Sequence, residues 1–475
     1  MRKECRSVPA IILINLPGES VRTPEEHCGI AYLHAYLKSN KIDATILDAY
    51  ALRLSINETF SIVEKWILAR PKLGRVWVGI SPFVTSHDNF VWLGEKIHEE
   101  FPNVTIIAGG HYACLNKEHM LAIFSWLDGI IVGEGEQTLL QVVQGKINTP
   151  GYFSRQTKDH FIPRPRITDL DKLPNQTRYL TPAQLSGQPF ALSTSRGCYG
   201  NCKFCSIASF YKCNSPNIKQ TSRSAESVYD EIMFLHKKYG AVNFKIIDDN
   251  FFRVDGDNFL RILSNKLRDK NFSFRLSSRP DDINDERAML LSQMGVKIIA
   301  LGVESANENL LKWINKGTCV QDSIEAVETL DRHNIACLAN FIMFLPIMSL
   351  DELSQNYEFV RQLSKKAIFH RLDSHLWLRA TDPIATELIE EGLSDGYGFP
   401  YIVYRYRYES VARIYAKFAQ YCIVDMKKYY SHVDRLMAHG VIGFEGDFQL
   451  YQQIIKRDLD VLGQLIQYER ELQTI

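Results

Sequence analysis

The sequence carries no surplus of charge: Lys plus Arg and Asp plus Glu stand at 55 each in 475 residues. A chain so balanced has no global field with which to coat a polyanion or an anionic membrane, so neither nucleic acid nor membrane is expected as a partner. No apolar run approaches the roughly 20 residues that span a bilayer. The run Ala10–Leu16, behind a basic start, is too short for a signal core and reads as a buried strand. Internal repeats and low-complexity segments are absent as well. So is any disulfide framework: the ten cysteines lie at 5, 28, 114, 198, 202, 205, 213, 319, 337 and 422, and only those from 198 to 213 are closely spaced. A large chain without an export signal is expected in the cytoplasm, where thiols stay reduced.

What is present suits two or three domains, with 45% apolar and 23% charged residues. From residue 10 to about 145, short apolar runs (Ala10–Leu16, Ala44–Asp48, Val76–Ser81, Thr105–Ala108, Gly129–Val132) alternate with segments of helical periodicity. Five strands each followed by a helix imply an α/β domain with a doubly wound parallel sheet, whose ligands bind beyond the carboxyl ends of the strands. Periodicity fails from Asn148 to Gln188, where prolines stand at 150, 163, 165, 174 and 182; this stretch reads as an extended linker. Alternation resumes with strands expected at Phe190–Thr194, Asn243–Asp248, Ser273–Ser277, Ile298–Val303, Ala339–Phe344 and Phe369–Leu376. Six β/α units are too few for a full eight-unit barrel and imply a partial one. The expected organisation is therefore an α/β domain over 1–147, a linker over 148–189, a partial (β/α)6 barrel over 190–377 and a mostly helical segment over 378–475. In that last segment Tyr401, Tyr404, Tyr406 and Tyr408 interleave with Arg405 and Arg407, an alternation that predicts a strand with a tyrosine face.

The segment Ser195-Arg-Gly-Cys198-Tyr-Gly-Asn-Cys202-Lys-Phe-Cys205 follows the first strand of the second series. Three thiolates at C-x3-C-x2-C spacing, on a loop made pliable by Gly197 and Gly200, can hold three irons of a cubane cluster and leave the fourth open to a small molecule. Zinc with Cys213 as fourth ligand is the alternative, although zinc ribbons bring a second C-x2-C pair that this sequence does not have.

Cys198, Cys202 and Cys205, with Phe204 just before the last, resemble the signature of the radical S-adenosylmethionine (SAM) enzymes. Ile247-Asp-Asp-Asn-Phe-Phe252 is similar to the family's second-strand segment, near the methionine amine of SAM, which brings in Asp248 and Asp249. Gly302-Val-Glu-Ser305, with Glu304, followed by Leu311-Lys-Trp-Ile-Asn-Lys-Gly317 resembles the fourth-strand segment of the cobalamin-binding subgroup. In Phe341-Ile-Met-Phe-Leu-Pro346, Phe344 stands where that subgroup usually has glycine. The first domain is similar to the cobalamin-binding domains upstream of such cores, through Ser81-Pro-Phe-Val-Thr85, Gly109-Gly110 and Gly133-Glu-Gly-Glu136, with Ser81, Thr85, Gly109, Gly110, Gly133 and Glu134 as cofactor candidates. The D-x-H-x-x-G motif of many cobalamin proteins is missing, its place taken by Asn15-Leu-Pro-Gly18; His27, His87 and His111 lie near the same rim but read as ordinary loop histidines.

The resemblance implies a [4Fe-4S] cluster, SAM, cobalamin, and an electron donor such as flavodoxin or ferredoxin. It implies a small-molecule substrate and methylation of an unactivated carbon. A dehydration, epimerisation or rearrangement on a degenerate cobalamin scaffold is the alternative. A tRNA methylthiotransferase fits less well, because the N-terminal cysteines are not clustered and the C-terminal segment is neither basic nor β-rich. No proton-transfer residue is identifiable from the sequence.

Overall fold

The computed structural model describes residues 9–18, 26–70, 75–213, 215, 217–253, 257–430 and 445–474. Cys5 and the basic start lie outside them. The chain folds into two compact units. The described residues up to Ser193, with Ser206–Arg223, form the first; Thr194–Cys205, with the described residues from Ser224 onward, form the second.

In the first unit β1 (Ala10–Asn15), β2 (Asp43–Asp48), β3 (Val76–Ser81), β4 (Thr105–Ala108) and β5 (Gly129–Ile131) are parallel, and β6 (Tyr152–Ser154) adds antiparallel to β5, giving the order β2-β1-β3-β4-β5-β6. β1 is buried along its whole length, which is why Ala-Ile-Ile-Leu-Ile reads as an unbroken apolar run: helices cover both faces of a parallel sheet. Ile11, Leu13, Trp77 and Ile107 pack against Ile30 and Leu37 of the helix Cys28–Ser39 and Leu139 and Val142 of the helix Glu136–Val143. The strand order reverses between β1 and β3, so the loops after these two strands flank a topological switch point. β6 falls inside the stretch read as linker; three residues among turns leave no periodicity to read.

β7 (Phe190–Leu192) and β9 (Gln220–Ser222) fall in the first unit, while the second contains β8 (Ser195–Gly197), β10 (Asn243–Ile246), β11 (Ser273–Ser278), β12 (Val296–Glu304), β13 (Ala336–Phe341) and β14 (Ala367–Phe369). The last five strands are parallel and adjacent in chain order. The helix Ala225–Tyr239 leads in, capped by the Ser224 side chain, which accepts from Ser227 N, and stopped by Gly240. The mixed α/β architecture and the helical C-terminal segment (Pro383–Glu390, Glu409–Val424, Glu445–Gln473) are as the sequence predicts.

Three local expectations are corrected. β13 and β14 begin earlier than the apolar runs suggest and stop sooner, because the chain beyond each leaves the ladder: only Phe344 and His375 still form an isolated bridge. Phe344, in the place of the expected glycine, is fully buried against Tyr415 and Phe418 of the helix Glu409–Val424. Its ring anchors that helix. Finally, residues 401–407 form no strand. Their alternation is real, since the hydroxyls of Tyr404 and Tyr406 are buried and Arg405 and Arg407 are exposed, but Arg405 N donates to Leu393 O and Arg407 N to Pro346 O, which belong to no strand.

Candidate active site

The three cysteines lie on the loop that follows β8, and their backbone is held by the end of β10. Asp248 is buried there, and its carboxylate accepts from Thr194 N at 2.7 Å, from the Thr194 hydroxyl, and from Ser195 Oγ at 2.8 Å. Burial pushes its pKa up, opposed by the Thr194 hydroxyl and the Arg253 charge. Asp249 accepts from Gly197 N at 2.9 Å, one residue before Cys198. The two acids expected near SAM are thus occupied, at least in these bonds, in shaping the cysteine loop. From the other side Lys203 N donates to Ile314 O, Asn315 Nδ2 to Asn201 O at 2.8 Å, and Arg379 Nη2 to Phe204 O at 2.8 Å. Phe204 therefore contributes its backbone to the anchoring of the loop.

The thiols themselves are half-buried and free of disulfides. Gly200 N donates to Cys198 Sγ at 3.3 Å, and Arg279 Nη1 lies 3.9 Å from Cys202 Sγ. Burial pushes the Cys198 thiol up, while the Gly200 N–H and the Arg279 guanidinium pull the other way. N–H donors and a cation beside sulfur suit anionic thiolates. Among the described residues no three His, Cys, Asp or Glu side chains converge tightly enough to share one metal ion. A cubane asks for a different arrangement, because each thiolate meets its own iron. Cys213 belongs to the other unit, is exposed, and donates to Ser209 O of its own helix.

Glu304 ends β12 with φ of 68°, a left-handed conformation costly for a side-chain-bearing residue, and pairs with Lys316 Nζ at 3.0 Å in a buried ion pair. Lys316 O in turn accepts from Arg279 Nη2 at 2.7 Å. Arg279 and Lys316 escaped sequence reading. Ser-Ser-Arg279-Pro at the end of an apolar strand was the available signal, a cation where the carboxyl ends of the strands converge.

In the first unit the candidates occupy the rim at the carboxyl ends of β3, β4 and β5. Ser81 ends β3 in register with Asn15, and Asn15 in register with Asp48. Asp48 accepts from Asn15 Nδ2 at 2.6 Å and Tyr179 Oη at 2.7 Å, and that phenol accepts from His27 N. His27 caps the helix Cys28–Ser39 through Nδ1 and reaches Ser81 Oγ with Nε2 at 3.3 Å. His87 meets Tyr112 Oη at 2.8 Å, and His111 packs edge-on against Phe210. Gly110 and Gly133 hold φ of 85° and 80°, so both loops take a left-handed turn that glycine alone adopts without strain. Gly109 directly precedes Gly110, and Thr85, in the loop after β3, is exposed. Glu134 faces elsewhere: its carboxylate accepts from Ile167 N at 2.6 Å and lies 3.9 Å from the Arg166 guanidinium, tying the rim to the segment read as linker. Asp48 and Tyr179, unmarked by any motif, organise this rim.

The comparisons with known proteins agree with this geometry. Residues 192–360 match the model of the Radical SAM superfamily. An uncharacterized methyltransferase of Pyrococcus horikoshii is 28% identical over 75% of this chain and 78% of its own length. The anaerobic magnesium-protoporphyrin IX monomethyl ester cyclase of Synechocystis is 27% identical over 70% of this chain and 68% of its own. The structure of the cobalamin-dependent radical SAM enzyme OxsB with aqua-cobalamin bound superposes with a TM-score of 0.77 at 17% identity, covering 96% of this chain and 72% of that one. Residues 192–360 thus resemble the Radical SAM superfamily, and the chain has the fold of the OxsB structure. Relatives named methyltransferases, among them the bacteriochlorophyllide d C-12(1)-methyltransferase of Chlorobaculum tepidum at 25% identity over 54% of this chain and 55% of its own length, are among the proteins it is similar to.

Proposed function

We propose that the protein methylates an unactivated carbon of a small metabolite, with Cys198, Cys202 and Cys205 holding a [4Fe-4S] cluster and the rim of the first unit holding cobalamin. The observation that carries the reading is the presence in one chain of a three-thiol loop gripped by Asp248 and Asp249 and of a separate sheet whose rim keeps two glycines left-handed. Held by Cys198, Cys202 and Cys205 and reduced by a carrier of the flavodoxin or ferredoxin class, the cluster would supply one-electron chemistry for the reductive cleavage of SAM, and cobalamin at the rim would supply methyl-carrier chemistry. The protein's part is orientation. Asp248 and Asp249 fix the loop, the Glu304–Lys316 pair sets the end of β12, and the Gly110 and Gly133 turns leave room for backbone to approach a bulky ligand. That aqua-cobalamin is bound in the OxsB structure supports the cofactor assignment.

One observation favours the second reading, a radical dehydratase, epimerase or rearrangement enzyme without cobalamin: Glu134 is spent on Ile167 and Arg166. Product analysis decides between them. Methylation consumes a second SAM and yields S-adenosylhomocysteine together with 5′-deoxyadenosine in comparable amounts. Turnover giving 5′-deoxyadenosine alone, at a rate unchanged by omitting cobalamin, overturns the methyltransferase reading.

A further inference from the structure

Arg279 is almost fully buried at the carboxyl end of β11, and its side chain reaches across the cysteine site. Its Nε donates to Asp281 Oδ1 at 3.0 Å and its Nη2 to Lys316 O at 2.7 Å; its own backbone N donates to Asn250 Oδ1 at 3.2 Å, in the segment that follows Asp248 and Asp249. Its guanidinium lies 5.2 Å from the Tyr199 ring centroid and 3.9 Å from Cys202 Sγ. The approach is close: a Cβ at Gly200 would stand 2.8 Å from Arg279 Nη1. Burial opposes the guanidinium charge, but Asp281 outweighs it and keeps the group protonated.

We infer that Arg279 is a positioning residue with an electrostatic role, in which its fixed charge beside Cys202 stabilises the reduced state of the cluster and Asp281 limits that effect by partial neutralisation. The inference rests on the reading that the three cysteines hold the cluster. Reduction adds one negative charge, so a cation at this distance in a low-dielectric site raises the reduction potential and removing it lowers the potential. A purely structural tie predicts no such sign. It predicts even less that the ion-pair partner acts in the opposite direction.

The test is an EPR-monitored redox titration of reconstituted protein, with iron and sulfide counted for each variant. Arg279→Gln should shift the midpoint potential negative and slow reductive SAM cleavage. Arg279→Lys, which keeps the charge, should restore most of the potential. Asp281→Asn should shift it positive. Opposite shifts for Arg279→Gln and Asp281→Asn at full iron content support the inference; shifts of one sign, or none, overturn it. If Arg279→Gln does not retain iron, Asp281→Asn decides by itself: a positive shift supports and an unchanged potential overturns. Failure of the parent protein to bind a cluster counts against the cysteine reading, a separate result.

Discussion

Two carboxylates stand at equivalent places in the two units, each just where a parallel strand gives way to its loop. Asp48 closes β2 of the first sheet and Asp248 follows β10 of the second. Both are buried and both collect at least three donors: Asn15, Tyr179 and Ala51 N for Asp48; Thr194 N, the Thr194 hydroxyl and Ser195 for Asp248. Their uses differ. Asp48 draws polar groups inward and leaves the rim to backbone and glycine, a surface that offers shape. Asp248 spends itself on the chain that carries the thiols, which remain half-buried with side chains able to act as ligands. A fold feature common to parallel α/β sheets has thus been turned to two ends: an open rim of backbone and glycine in one unit, rigidity around three thiols in the other.

The largest effect expected from breaking this contrast is at the thiols. Replacing Cys198, Cys202 and Cys205 together by Ala should abolish iron–sulfur absorbance and SAM cleavage, whereas Cys213→Ala should leave both largely intact. A triple variant that still carries about four irons per chain refutes the assignment.

Next come the carboxylates. Asp248→Ala strands the Thr194 N–H in a buried site and should cost about 2 to 3 kcal/mol in denaturant unfolding, with loss of iron on desalting. Asp48→Ala should cost a similar amount and leave iron retention unchanged. Equal iron loss in both would erase the distinction between the units.

The smallest effect belongs to the rim. Gly110→Val must hold a β-branched side chain at φ of 85°, with its Cβ 3.2 Å from Ser81 Oγ, at a cost of about 1 to 3 kcal/mol. It should prevent cobalamin retention in equilibrium dialysis while the cluster spectrum stays that of the parent. Gly109→Ala meets only ordinary contacts at 3.7 Å and should retain whatever the parent retains.

How far the sequence could be read followed from the range of each signal. The cysteine loop and the parallel strands of the first sheet are written locally, in spacing and in apolar runs, and were legible residue by residue. Arg279 was not: its partners include Cys202, 77 residues away, and a backbone carbonyl, which carries no side-chain signature. Asp248 and Asp249 were picked out as acids of a matching segment, yet their contacts to Thr194, Ser195 and Gly197 exist only once β10 and the cysteine loop lie side by side. Glu134 shows the reverse limit, a motif residue whose carboxylate is turned to Ile167 and Arg166. The tyrosines at 404 and 406 alternate as a strand would, but alternation reports which side is covered and not whether a neighbouring strand is there to bond.

The chain threads its units out of order: Thr194–Cys205 belongs to the second, and the next eighteen residues return to the first, where Phe210 is buried against His111. A ribosome that has released residue 193 has therefore not yet delivered all of the first unit. The helix Ser206–Lys212, which belongs to the first unit, arrives only after the thiol loop has left the ribosome. Neither unit can be cut out as one contiguous piece of gene without carrying part of the other, and recombination at residue 193 would deprive the first unit of Ser206–Arg223.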